Sequence, residues 1–355
     1  MKRQSFDTRQ LRRPLAVAFA CVAFSVSLLP AVSVGLDVTA PLVGAEKDAI
    51  YRKAVLSVVA VRAKTELSEI VVNGFFVGDG TLIATTLPLE SEPVAVEVFH
   101  AGVNHPAEVV LRDTRTRVLL LKAPGLKAPP LSLLGHGISL PLASQIFAIC
   151  ESEDPLLRFV EARIAGREKN IRGMLLPVTL IRANFATRLD GIGAPLLNSD
   201  GKVAGMIVLG VPEEPDSAYA LPAAVVKKFA DDYIADGKVR RSFLGLSFED
   251  GTTTPRILEV RENGPAAIAG LEQGDIILRV GDRAIEQYQD VVDSIYFLAP
   301  GKPVVFEILR GLHRHSYSLT PVKKVEPKAE TPPTGVATTP PADPAPAVAT
   351  PPADP

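Results

Sequence analysis

The stretch Arg188 to Gly205, RLDGIGAPLLNSDGKVAG, has a form that presents a side chain for chemistry. A tight Gly-rich turn, Asp190 to Pro195, feeds an apolar strand, then an Asn-Ser-Asp-Gly hairpin turn and a second strand over Val203 to Leu209. The residue at the crown of the first turn is Ile192. A branched hydrocarbon has no proton to lose and no lone pair with which to attack a carbonyl, so acyl transfer by this position is chemically excluded. The remaining candidates for such chemistry are Ser199, Thr85, Thr86, His100, His105, His136 and Asp190. Ser199 falls in a hairpin turn, where serine is favoured for turn geometry alone. His100 and His105 bracket a predicted hairpin over Ala101 to Asn104. None of these residues recreates a nucleophile, a base and an orienting group at motif spacing. Cys150 follows an apolar strand, Ser144 to Ile149, with no histidine near it in sequence, which makes it a buried structural thiol.

The elements around the turn carry a resemblance. Ala54 to Val61 reads as a buried strand, and Ile70 to Val77 and Thr81 to Thr86 flank an Asp79-Gly80 turn as a hairpin. The segment NGFFVGDGTLIATTLPL is similar to G-S-G-F-I-x-x-x-G-x-I-V-T-N-N-H-V-V of the trypsin-like proteases of the HtrA/Deg family. RDTRTRVLLLK is similar to that family's D-x-x-x-D-L-A-L-L-K, and the turn around Ile192 to its G-N-S-G-G-P-L-L-N-x-x-G-x-V-x-G. The resemblance puts Leu87 at the catalytic histidine, Arg117 at the aspartate that orients it, and Ile192 at the serine. It also puts Asp190 at the glycine whose N–H helps to form the oxyanion hole, where a carboxylate would oppose developing negative charge. On this reading the chain is no enzyme but a pseudoprotease, because the triad acts as a unit and all three members are replaced.

The resemblance extends over 54–236 and implies a mainly β, double-barrel domain. Strand patterns lie at Leu131 to Leu133, Ser144 to Ile149, Val160 to Ile164 and Leu180 to Asn184. Tyr219 to Pro222 follows, and Ala223 to Ile234 closes the domain as an amphipathic helix with Val226, Phe229, Ala230 and Tyr233 on one face. A second, α+β unit occupies 239–321. Its ENGPAAIAGLEQGDIILRVGDRAI closely resembles the core of PDZ domains in their bacterial, circularly permuted form. Pro265 to Ala267 open a short helix capped by Gly270, and Tyr288 to Leu298 supply a second. The resemblance implies a peptide groove made of Phe243, Leu244, Gly245, Leu246, Ser247 and Phe248 on one side and Val291, Val292 and Ile295 on the other. An incoming chain would add to the strand edge and point an apolar terminal residue inwards.

The two ends differ from this globular middle. Lys2, Arg3, Arg9, Arg12 and Arg13 precede an uncharged run from Pro14 to Leu36, the layout of an export signal, which is either cleaved or kept as an anchor in the inner membrane. Residues 37–53 form an N-terminal segment, where relatives in the family trimerise. Beyond 321 the chain turns to Pro, Ala and Thr, with TPPADP at 339–344 and again at 350–355, a composition expected to be disordered. The net charge of −2 becomes −6 without residues 1–36, since five basic residues and Asp7 go with them. That excludes nucleic acid as a partner class. No cofactor or metal is expected, and the two cysteines, Cys21 and Cys150, leave no internal disulfide.

The function expected is therefore an exported, periplasmic or extracellular scaffold or regulator in protein quality control. Its PDZ groove captures C-terminal or extended segments of envelope proteins, alone or in oligomers with HtrA-like proteins, and a membrane is touched only through an uncleaved N-terminus. The alternative is an active serine endopeptidase that uses non-standard residues. The old substrate cleft, on either reading, either supports the fold or still holds an extended chain by strand addition.

Overall fold

The structure is a computed structural model that describes residues 44–88, 93–136, 140–150, 158–171, 174–185, 191–211, 213–248 and 253–324. The export segment, Asp190 and the Pro-rich tail lie outside these residues.

The chain enters with helix α1, Gly44–Ala54, and one 3-10 turn, Val55–Ser57. The expected strand from Ala54 therefore begins only at Val58. Ile50 and Tyr51 of α1 pack on a buried cluster shared by the two barrels, so the helix is stabilised by docking and not by its weakly apolar sequence.

Six strands, β1 (Val58–Lys64), β2 (Glu69–Val77), β3 (Leu82–Thr86), β4 (Ala95–His100), β5 (Val103–Arg112) and β6 (Val118–Lys122), close a first barrel in the order β1-β2-β3-β6-β5-β4. Six more, β7 (Gln145–Cys150), β8 (Arg158–Ile171), β9 (Met174–Ala183), β10 (Pro195–Leu197), β11 (Val203–Gly210) and β12 (Ala218–Pro222), close a second in the order β10-β11-β12-β9-β8-β7. Strands such as β3 and β7, buried at every position, read as apolar runs because one face lines a barrel and the other meets its neighbour. Closure pairs the barrel strands with neighbours on both sides, except where β9 runs on beyond its pairing with β12.

The turns follow local chemistry. Asp79 Oδ1 accepts from Thr81 N and Oγ1 at 3.0 and 2.7 Å, and Gly80 takes φ +86°. Asn198 Oδ1 accepts from Asp200 N and Lys202 N at 3.1 and 2.9 Å, fixing the second hairpin. Two strand expectations are corrected. Leu131 to Leu133 yields a single bridge from Leu133 to Val203, because this segment crosses from one barrel to the other. The Val160 to Ile164 strand is part of the fourteen-residue β8, whose alternating outward residues hid its length.

Helix α2, Ala223–Asp236, buries Val225, Val226, Phe229 and Ala230 and ends at Gly237 in the left-handed region. The second unit then folds as β13 (Ser242–Phe243), β14 (Leu246–Phe248), β15 (Ile257–Val260), helix α3 (Pro265–Ala269), β16 (Ile276–Val280), β17 (Arg283–Ala284), helix α4 (Tyr288–Tyr296), β18 (Val304–Arg310), β19 (His313–Leu319) and β20 (Val322–Lys323). Its core gathers Leu244, Ile257, Leu271, Ile277, Val291, Phe306 and Ile308. Among the described residues no helix is long and apolar enough to cross a membrane.

Candidate functional site

The turn that carries Ile192 is clamped between the barrels. Its carbonyl accepts from Asn73 N at 2.6 Å and from Asn73 Nδ2 at 3.4 Å, and the N–H of Gly193 donates to Ile207 O at 2.7 Å. Gly193 has φ +81°, and a Cβ there would sit 1.8 Å from Asn73 O. Thr85 Oγ1 donates to that same Asn73 carbonyl at 2.6 Å. Ile192 and Leu87 are 4 % and 6 % exposed and belong to one continuous buried cluster with Phe76, Phe185 and Ile146. Hydrocarbon thus occupies the places that the family resemblance gives to a nucleophile and a base. Arg117, in the third place, is exposed on the turn before β6 with φ +60°.

The ionised groups nearby are otherwise engaged. Asp113, four residues before Arg117, is almost fully buried; its carboxylate accepts from Thr116 N and Oγ1 at 3.0 and 2.6 Å and pairs with Arg241 of the connector. Thr85 and Thr86 are buried, and Ser199 is half-buried on its hairpin. His100 meets Leu56 O at 3.1 Å and the edge of Phe76, and His105 lies on β5. His136 stacks on Phe297 with ring centroids 4.0 Å apart. Among the described residues no imidazole is hydrogen bonded to a serine or threonine hydroxyl. Cys150 is buried at the end of β7.

The second candidate site is the region of β14 and α4 that the PDZ resemblance assigns to a peptide groove. Leu246 and Phe248 share one side of β14 and pack with Val291 and Ile295 on the small domain's core, as the strand's alternation requires. Phe248 also meets Tyr288, at the start of α4, with centroids 5.6 Å apart, and Val292 is half-buried. The carbonyls of Leu244 and Gly245 accept from Ala266 N and Arg261 N at 2.9 and 2.8 Å, which ties the Phe243-Leu244-Gly245 turn to the domain. The guanidinium of Arg261 lies over the Phe243 ring at 5.7 Å. Gly245 has φ +76°, so glycine is favoured by backbone conformation, while a Cβ there would meet nothing nearer than 3.4 Å.

Helix α4 has a second buried face that the sequence reading did not assign. Asp293 accepts from Thr179 N and Oγ1 of β9 at 2.8 and 2.5 Å, and Gln289 Nε2 donates to Leu176 O at 2.9 Å. Lys169 of β8 donates to Asp290 at 2.9 Å, while Arg283 reaches both Asp290 and Asp293. Burial pushes the Asp290 carboxyl up, but the Lys169 ammonium and the Gln287 backbone N–H outweigh it and hold the group below its ordinary 3.8. The groove helix is therefore fastened to the second barrel. The available signal was the spacing of Gln289, Asp290, Asp293 and Ser294, a polar stripe on a helix whose other face is apolar.

Comparison with known proteins agrees with this architecture. A trypsin-like peptidase domain profile matches residues 72–206 and a PDZ domain profile matches residues 242–320. A probable periplasmic serine endoprotease, DegP-like, of Chlamydia trachomatis is 25% identical over 253 residues, covering 67% of this chain and 51% of that one. Serine protease HTRA1 of Xenopus tropicalis is 26% identical over 284 residues, covering 72% and 60%. Among solved structures, the serine endoprotease from Yersinia pestis superposes with a TM-score of 0.57 at 20% identity, covering 81% of this chain and 100% of that one. An HtrA-type protease, AlgW, with a tripeptide gives 0.62 at 17% identity, covering 79% and 98%. The chain spans about half the length of the curated relatives it matches.

These findings correct one expectation. The chain was expected to be no enzyme, whereas the relatives are named as serine endoproteases and the profile that matches its barrels is that of a peptidase. The expectation equated the side chains at 87, 117 and 192 with the activity of the whole chain. Those side chains close one chemical route, the one that starts from a hydroxyl at position 192.

Proposed function

We propose that this chain, an HtrA/DegP-type protein in which a trypsin-like peptidase domain is followed by a PDZ domain, is exported and acts on extended or C-terminal segments of envelope proteins that its PDZ groove captures. The observation that carries the reading is the cluster shared by β14 and α4: Leu246, Phe248 and Ile295 pack on the core that holds Val291, Phe248 meets Tyr288, and the turn at Phe243, Leu244 and Gly245 leads into that strand. The names of several relatives, probable periplasmic serine endoproteases, support an envelope location, and a role in protein quality control belongs to the same reading. Residues 1–36 serve as the export signal or as the inner-membrane anchor, and assembly with like chains belongs to the same reading.

Serine-type endoproteolysis is the activity to which those names point. In this chain it requires a hydroxyl other than one at position 192, and Thr85, Thr86 and Ser199 are the candidates. One experiment addresses both halves of the reading. The full chain is titrated with peptides ending in Val, Leu, Ile or Phe and, in parallel, incubated with unfolded casein. Binding that requires the free terminal carboxylate, together with cleavage lost in one of Thr85→Ala, Thr86→Ala or Ser199→Ala, is the expected result. Indifference to every peptide sinks the groove assignment. Absence of turnover leaves the chain as a binder of the same segments and withdraws the endopeptidase half.

A further inference from the structure

Three separate segments bring cations to one cavity of about 460 Å³. Arg112 ends β5, Lys238 and Arg241 lie on the connector between α2 and β13, and Lys323 and Lys324 end β20 and follow it; Leu111 and Val239 add an apolar floor. The arrangement is fixed by the main chain. Ser242 pairs with Lys323 and Phe243 with Val322, and the N–H of Lys324 donates to Arg241 O at 2.8 Å. Arg241 is also held from below by the buried carboxylate of Asp113. Lys238, Lys323 and Lys324 make no ion pair among the described residues.

With Arg241 paired to Asp113, the cations that line the concavity still meet no carboxylate among its lining residues, and walls of low dielectric focus their field into the space between them. A multiply charged anion entering there would be attracted by that field. Lys238, Lys323 and Lys324 supply point charges that suit phosphate oxygens, beside the guanidinium groups of Arg112 and Arg241. The volume exceeds what a lone carboxylate needs and leaves room for two linked phosphates or for a phosphate with a glycerol on the apolar floor. We propose that this cavity is a binding site for a phosphate-bearing anion, either a soluble oligophosphate or the headgroup of an anionic phospholipid. It shares no lining residue with the peptide groove, so the proposal stands independently of the function given above.

The test is calorimetric titration of the full chain with inorganic pyrophosphate, with dihexanoyl phosphatidylglycerol below its micelle concentration, and with the matching phosphatidylcholine. Lys238→Glu/Lys324→Glu should weaken the anionic ligand by about tenfold or more, Lys238→Gln/Lys324→Gln should weaken it less, and both variants should keep the wild-type melting temperature. Lys122→Glu/Lys302→Glu, which makes the same change in net charge away from the cavity, should bind as wild type does. Preference for pyrophosphate assigns the soluble source, and preference for phosphatidylglycerol the headgroup. The proposal is overturned if neither anion binds, if phosphatidylcholine binds equally well, or if the control variant loses as much affinity as the cavity variant.

Discussion

Gly193→Ala is the sharpest probe of how the two barrels are joined. With φ +81°, an L residue at this position costs about 1–2 kcal/mol before any contact is considered. The added Cβ would also lie 1.8 Å from Asn73 O and 2.8 Å from Asn73 C. Restoring an ordinary carbon to oxygen contact of about 3.3 Å requires the strands to part by about 1.5 Å. A shift of that size breaks two buried hydrogen bonds, Gly193 N to Ile207 O at 2.7 Å and Asn73 N to Ile192 O at 2.6 Å. Each such loss costs about 1–3 kcal/mol when the groups stay buried, so the total is about 3–8 kcal/mol. Urea unfolding of the full chain followed by far-ultraviolet circular dichroism measures it. Gly102→Ala is the control: its φ is +85°, but nothing lies within 4 Å of a Cβ there, so only the backbone cost of about 1–2 kcal/mol should remain. Equal midpoints for the two variants with unchanged slopes would refute the clamp between Asn73 and the turn.

Asp293→Ala removes the acceptor for Thr179 N and Oγ1 and for Arg283, and should loosen the small domain from the second barrel by about 2–4 kcal/mol, seen as faster proteolysis in 237–241 without a change in peptide affinity. The same interface should respond to acid in a defined direction. Against the cost of burial, the Lys169 ammonium across the interface and the Gln287 N–H within α4 hold Asp290 below its ordinary 3.8, so the unfolded chain takes up the proton more readily; the stabilisation is present above pH 4 and drains away as pH falls through the lower, folded value. Small-angle scattering across pH 2–6 should therefore show expansion only at the acid end, and Asp290→Asn should shrink that pH dependence. Phe248→Ala should weaken an apolar-terminated peptide by about tenfold, since the ring walls the groove against Tyr288, whereas Leu258→Ala on the neighbouring strand should leave binding unchanged in the same fluorescence titration.

The sequence by itself determined the elements whose signals are local. The Asp79-Gly80 and Asn198 to Gly201 turns, the α2 face with Val226 and Phe229, and Gly270 ending α3 were all legible, because side-chain caps and left-handed glycines act within four residues. It also fixed what positions 87 and 192 can do chemically, since a hydrocarbon remains a hydrocarbon in any fold, and put a cation at 117 in place of a carboxylate. The tertiary structure decided what has no local signature. That the strand expected at Ala54 is a helix end depends on Ile50 and Tyr51 docking against the barrels, and that the carboxylate of Asp113 is buried and paired depends on Arg241, 128 residues away. The polar face of α4 was visible as a pattern but had no reading until Thr179, Leu176 and Lys169 were placed against it. Nor could any window of sequence bring Arg112, Lys238 and Lys324 to one cavity. Such contacts join residues far apart in the chain, and their partners are chosen by the packing of whole elements, which periodicity and turn chemistry do not encode.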